Sequence, residues 1–325
     1  MNVSHPIPLW LRCWSWLIVL TALPLVIIGA EVTTKKVGMA DPVGLRNPLY
    51  LFEREADVSG QPIRIAHLLE TGQWGLLIEH GHRLLGWLVG LECIIFAIAM
   101  GFLARGRSRW LGLVAGLVVA AQGILGILRV TLNLKAGPEL STLHGCTAQL
   151  VFASLVAIAV MASVSWRKPN HAIPSWIRRL AVALCCLVYL QMVFGAIMRH
   201  LLDPLAQRLH ILLAFAAVLG IIWLAVRARQ LDTIGATTWL SLGLTLVVCL
   251  QPVLGVEAWI RRFGSLMLPD AVPSTLMGDL VRSGHHVLGT LIFAGTIALT
   301  VLLCRPRAEA ATPSALHRRA MEGIA

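Results

Sequence analysis

Long apolar runs alternate with short polar connections along the whole chain. The runs fall near 13–30, 76–103, 111–132, 143–164, 178–198, 209–226, 238–258 and 284–303. Each is close to the roughly 20 residues that a helix needs to cross about 30 Å of hydrocarbon. A lone apolar strand would leave its backbone unpaired in lipid, so every span is predicted to be helical. The first run resembles a secretory signal in position only. It is long for a signal core, lacks a small-x-small cleavage site and is followed by further spans, so it is read as a transmembrane helix. The pattern therefore predicts an all-α membrane protein with eight transmembrane helices.

Composition agrees with this reading and excludes several function classes. Of 325 residues, 57% are hydrophobic and 13% charged, and the mean hydropathy of +0.78 lies far from that of a soluble domain. The net charge is +11, but its basic residues sit between apolar runs, as juxtamembrane charge does, so nucleic-acid binding is excluded. Arg105, Arg107 and Arg109 follow the second span, and Arg167, Lys168, Arg178 and Arg179 surround the connection from the fourth to the fifth. Arg227 and Arg229 follow the sixth span, and Arg305, Arg307, Arg318 and Arg319 the eighth. These segments mark the cytoplasmic side, which puts both termini there in a multi-pass protein of the cytoplasmic (inner) membrane. The opposite side carries Lys35, Lys36, Arg261 and Arg262, with the long loop at 31–75 mixing in Asp41, Glu53, Glu55 and Asp57. The seven cysteines lie in or beside apolar runs without CxxC spacing, so neither a disulfide framework nor a zinc site is predicted.

An internal repeat emerges once the spans are drawn. Gln122-Gly-Ile-Leu-Gly126, Gln191-Met-Val-Phe-Gly195 and Gln251-Pro-Val-Leu-Gly255 share Q-x-x-x-G in the third, fifth and seventh spans. Each is followed by a helix with a histidine near its start, and HRLLG at 82–86 is similar to HHVLG at 285–289. The chain therefore divides into two pseudo-symmetric four-helix bundles, 1–170 and 171–325, joined near Ser165–Pro174.

The histidines carry the chemistry. His82, His144, His210 and His285 all fall near the start of an even-numbered span, so their side chains share one depth near the outer surface. A single membrane histidine is usually a hydrogen-bonding group between helices, but four at one depth, two per half, point to ligands. Ionisable groups within a span usually face a bundle interior or polar cavity. A neutral imidazole nitrogen binds iron well, and one on each face of a porphyrin gives six-coordinate haem. Glu79 lies three residues before His82 and shares its helix face. It could orient the ligand, carry protons or act on a bound substrate, or simply favour a helix N-terminus. Arg83 would suit a haem propionate or snorkel to the interface. His80 and His286 are read as supporting residues, His200 as an outer-surface contact, and His5, His67, His171 and His317 as loop or tail residues. Gly86 and Gly90 form GxxxG, and Gly126, Gly195, Gly255 and Gly289 lie near the sites, where a flat ring or a neighbouring helix could approach.

Taken together, these residues resemble the haem A synthase family, membrane enzymes that convert haem O to haem A for terminal oxidases. The resemblance rests on eight spans in two halves, on Glu79, His82 and Arg83, on His144, His210 and His285, and on Gly29-Ala-Glu-Val-Thr-Thr34 with Gly38-Met-Ala-Asp-Pro42. It implies a substrate haem held between His82 and His144 with Glu79 catalytic, and a haem b between His210 and His285, or the adjacent His286, relaying electrons. The C8 methyl of haem O would be oxidised through hydroxylated stages to a formyl group. Haem O synthase and terminal oxidase assembly factors would be the partners, beside an electron acceptor that the resemblance does not identify. The segment Asp41-Pro-Val-Gly-Leu-Arg-Asn-Pro48 departs from the family's PDWP-like sequence, and the outer-loop cysteine pairs of some members are absent. Alternatives from other classes are a non-enzymatic dihaem cytochrome b and a haem carrier or oxidase-assembly protein.

Overall fold

The computed structural model describes residues 7–41, 49, 65–167, 173–231, 235–263 and 275–305, apart from the side chains of 66 and 67. Eight helices among these residues are long and apolar enough to cross a membrane. They are α1 (Leu9–Thr34), α2 (Trp74–Leu103), α3 (Arg109–Thr131), α4 (Asn133–Ala162), α5 (Ser175–Leu201), α6 (Pro204–Leu231), α7 (Gly235–Phe263) and α8 (Leu276–Leu303). Short helices at Ile65–Glu70, Gly106–Ser108 and Val164–Arg167 complete the described structure. The fold is all-α, and all eight expected spans are present. Each helix is longer than its apolar run, because polar end turns still close backbone hydrogen bonds inside the bundle.

Within the first half α1 packs on α2, α2 on α3, α3 on α4, and α4 closes back on α1. Helices α5 to α8 follow the same order, with α8 closing back on α5. The halves meet where α4 packs on α8 and α5, and α1 on α8. This explains why α4 and α8 have 56% of their apolar windows buried while α3 has 11%. Their inner faces supply much of the core, including Phe152, Leu155 and Ala159 from α4 and Phe293, Ala298 and Leu299 from α8. The outer helices expose Trp87, Phe102, Leu117, Leu219 and Trp239. So large an apolar surface suits lipid and would be unstable in water.

Two local features place the polar residues. Lys36 adopts φ 58, in the left-handed region, and the Val37 N–H donates to Val32 O at 3.0 Å. This helix stop turns the chain back toward α2 and buries Asp41 there. In α4 the first turn is interrupted at Ala136 (φ −149, ψ 40), two residues before Pro138. The ring cannot follow a helical residue comfortably, so the regular helix starts late and His144 lies nearer its effective beginning than the bounds suggest.

His5, His171, His317, Lys168, Arg307, Arg318, Arg319 and most of the long loop, with Glu53, Glu55 and Asp57, lie outside the described residues, as does the His67 side chain. The same holds for 42–48, where the sequence departs from the PDWP-like pattern.

Candidate functional site: four imidazoles on four glycines

Every one of the four histidines packs on a glycine of an odd-numbered helix. A Cβ at Gly29 would lie 2.8 Å from Cε1 of His82, and one at Gly126 would lie 3.2 Å from Cε1 of His144. The same distance is 2.9 Å for Gly195 and His210, and 2.9 Å for Gly255 and His285. The glycines are therefore seats for imidazole rings, which sharpens the expectation that they allow close approach. Gly29 belongs to the same set although Leu25 replaces the glutamine four residues earlier. Sequence reading tied Gly29 to the segment after α1, and the missing glutamine hid its membership of the repeat.

The repeated glutamines brace the same helices. Gln122 Nε2 donates to His144 O at 3.0 Å, Gln191 Nε2 to His210 O at 2.6 Å, and Gln251 Nε2 to His285 O at 3.0 Å. An amide thus holds the backbone of each ring-bearing turn. On the first helix pair a backbone carbonyl takes over, since His82 Nδ1 lies 3.2 Å from Leu25 O.

Hydrogen bonding also sets the tautomers. Carbonyls accept from Nδ1 of His82 and from Nδ1 of His210, the latter at 2.8 Å from Gln191 O. Each ring then keeps its lone pair on Nε2, the arrangement that orients a metal-ligating histidine. His285 Nδ1 is buried next to the backbone of Gln251. The His210 and His285 ring centroids are 6.2 Å apart, with planes at 79°. That separation is wide enough for one metal atom with bonds of about 2 Å to a nitrogen of each ring. The glycine seats, preset His210 and ring separation fit a bis-histidine haem in the second half. His144 differs, because Gln122 Nε2 lies 3.1 Å from its Nδ1 and that amide is fixed by accepting from Thr147 Oγ1 at 2.7 Å. The same amide nitrogen lies 3.4 Å from His144 Nε2, so a metal on this ring would require release of Gln122.

A buried charge network surrounds His82. Glu79, His80 and Asp41 are each only 2% exposed. Arg83 Nη2 donates to Glu79 Oε1 at 2.7 Å, and the Asp41 N–H donates to Glu79 Oε2 at 2.7 Å. Arg83 Nη1 donates to Asp41 O at 2.7 Å and lies 3.5 Å from Asp41 Oδ2, which is 3.0 Å from His80 Nδ1. Glu79 is thus an interior carboxylate with both oxygens held, rather than a helix-end charge. Arg83, read from the sequence as suited to a propionate or to the interface, lies against the carboxylates of Glu79 and Asp41. His80 gains the partner that its position in the sequence did not suggest, because Asp41 arrives from beyond α1.

No carboxylate occupies the equivalent place in the second half. Three residues before His285 stands Arg282, bonded to Asp279 Oδ1 at 2.6 Å. His286, where the first half has Arg83, meets Gln149 Nε2 at 3.1 Å and so links α8 to α4 across the halves. His200 lies in the last turn of α5, beside Arg199. At the outer junction Lys35 Nζ lies 2.9 Å from Asp279 Oδ2, and that hydrogen bond raises the ammonium above its usual pKa.

Residues 65–207 match the model of a family described as cytochrome oxidase assembly protein (COX15-CtaA). A haem A synthase from Methylorubrum populi is 36% identical over 128 residues, 37% of this chain and 32% of that protein. One from Methylorubrum extorquens is 28% identical over 209 residues, 57% of this chain and 53% of that protein. The chain therefore matches about a third to a half of the length of these curated relatives. No solved structure matches it.

Proposed function

We propose that this chain, which is related to the haem A synthase family, is a membrane-bound haem-dependent oxidoreductase that oxidises the C8 methyl of haem O to the formyl group of haem A. Its membrane is the cytoplasmic one, with both termini on the cytoplasmic side, as the basic connections indicate. The observation that carries the reading is the fourfold repetition of an imidazole seated on a glycine, two in each half. Haem O is the substrate of the first half, held by His82 and His144. The resident haem b of the second half, held by His210 and His285, supplies one-electron redox capacity when bound.

The chain's own residues divide the remaining work. The carbonyl of Leu25 orients His82 through Nδ1 and leaves Nε2 to face the substrate iron. Gln122 yields His144 when substrate enters. Converting the methyl to a formyl group takes an oxygen atom from water, gives up electrons to an external one-electron acceptor and releases protons, and Glu79 is the carboxylate on the His82 face that can take those protons. Arg83 and the Asp41 N–H hold its two oxygens, fixing where a proton would be received.

The test is extraction and chromatography of haems from membranes that contain this chain and a haem O supply. Haem A should form, and Glu79→Gln should lower its yield by about 100-fold or more while the haem b content stays the same. Haem b alone in the unsubstituted protein, despite abundant haem O, would favour the dihaem electron-transfer reading instead.

A further inference from the structure

Beside the His82–His144 pair lies an arginine, Arg129, that no carboxylate answers among the described residues. Arg129 lies one turn beyond Gly126 on α3, and its Nε donates to Ser141 Oγ at 3.0 Å. Ser141 precedes His144 by three residues, so this bond places the guanidinium about one turn, roughly 5.4 Å, outward of the ring. The end of the side chain rests on the backbone of Gly38, where any Cβ would collide with Nη2. Chain backbone on one side and a hydroxyl on the other thus fix the guanidinium while leaving its terminal nitrogens available.

Most neighbouring cations differ, the exception being Arg199 of α5, whose Nη2 donates to Ala30 O at 3.0 Å and Thr34 Oγ1 at 2.7 Å. Arg83 holds Glu79 and Asp41, Lys35 and Arg282 hold Asp279, and Arg261 holds Glu257 at 2.6 Å. Arg129 forms no ion pair among the described residues. Glu79 lies within its electrostatic reach, but both Glu79 oxygens are already taken by Arg83 and the Asp41 N–H. A half-buried guanidinium at a membrane edge is costly unless an anion completes it, and its planar fork matches a carboxylate.

We infer that Arg129 is the binding residue for a carboxylate of the porphyrin held between His82 and His144, the role that the sequence suggested for Arg83. The inference rests on the haem reading of the first half. Gly38 and Ser141 are its positioning partners, which gives the segment after α1 a part in recognising substrate.

The experiment uses the full chain in detergent with His285→Ala, so that the first pair alone titrates, and follows uptake of ferric protohaem and of its dimethyl ester by absorption. The free acid should bind about tenfold or more tightly than the diester. Arg129→Gln should bring the two to near parity with the low-spin spectrum retained, and Arg129→Lys should keep most of the preference. Gly38→Ala, which displaces the guanidinium without removing it, should reduce the preference in the same direction and serves if Arg129→Gln does not accumulate. An undiminished preference in either variant would overturn the inference and leave the ligand pair standing. Uptake of neither compound by the His285→Ala protein would remove the haem reading of the first half, and the inference with it.

Discussion

The two halves share a packing order and a glycine-seated pair of imidazoles, yet the place three residues before the histidine is held by a carboxylate, Glu79, in the first and by a guanidinium, Arg282, in the second. In the first half Glu79, Arg83, Asp41 and His80 form a buried network beside His82, and Gln122 occupies Nδ1 of His144. In the second, Arg282 replaces the acid, His286 replaces the arginine, and His210 is already set for ligation through Nε2. A site whose ligand must come and go benefits from a ligand that can be released and from an acid that can accept a proton. A site for a resident group benefits from ligands fixed in advance, because less freedom is lost on binding. Under the proposed function, the contrast corresponds to a substrate site in the first half and a cofactor site in the second.

The largest expected effect divides the halves outright. His210→Ala or His285→Ala should abolish the low-spin haem b spectrum in reduced-minus-oxidised difference spectra, with the protein still present in the membrane. Retention of that spectrum would end the assignment of this pair. Next come the seats themselves. Alanine at Gly29, Gly195 or Gly255 introduces a methyl 2.8–2.9 Å from an imidazole carbon and should cost about 1–3 kcal/mol, read as lost haem occupancy. Gly126→Ala, at 3.2 Å, should be the mildest of the four, and an equal loss at all four would mean that these contacts do not set the sites.

A subtler effect sharpens the difference in ligand freedom. Gln122→Leu removes the amide that occupies His144 and should raise haem affinity in the first half severalfold while slowing release, measured by transfer of haem to apomyoglobin. The corresponding Gln191→Leu should give no such gain, since its amide holds only the backbone of His210. The smallest effect lies at the junction of the halves. Lys35→Met should cost about 1 kcal/mol or less in thermal unfolding, because this ion pair is partly exposed. The Lys35 pKa is raised in the fold, so its stabilisation is complete below the unfolded value and is lost only as pH rises through the folded one. Melting temperatures of the Met variant and the unsubstituted protein should therefore differ at neutral pH and converge in strongly alkaline buffer.

The sequence by itself determined the eight membrane-long helices and singled out the four histidines. Apolar run length is a local property that lipid enforces, and helical periodicity puts residues such as Glu79 and His82 on one face without tertiary information. Tertiary structure decided the partners. Asp41 and Gly38 reach the site because the chain turns back after α1, and Gly29 because α1 packs on α2, and no spacing within α2 or α3 could reveal that Arg83 is already engaged while Arg129 has no ion pair among the described residues. Those assignments depend on contacts between residues far apart in the chain, and charges buried at low dielectric make the choice of partner decisive.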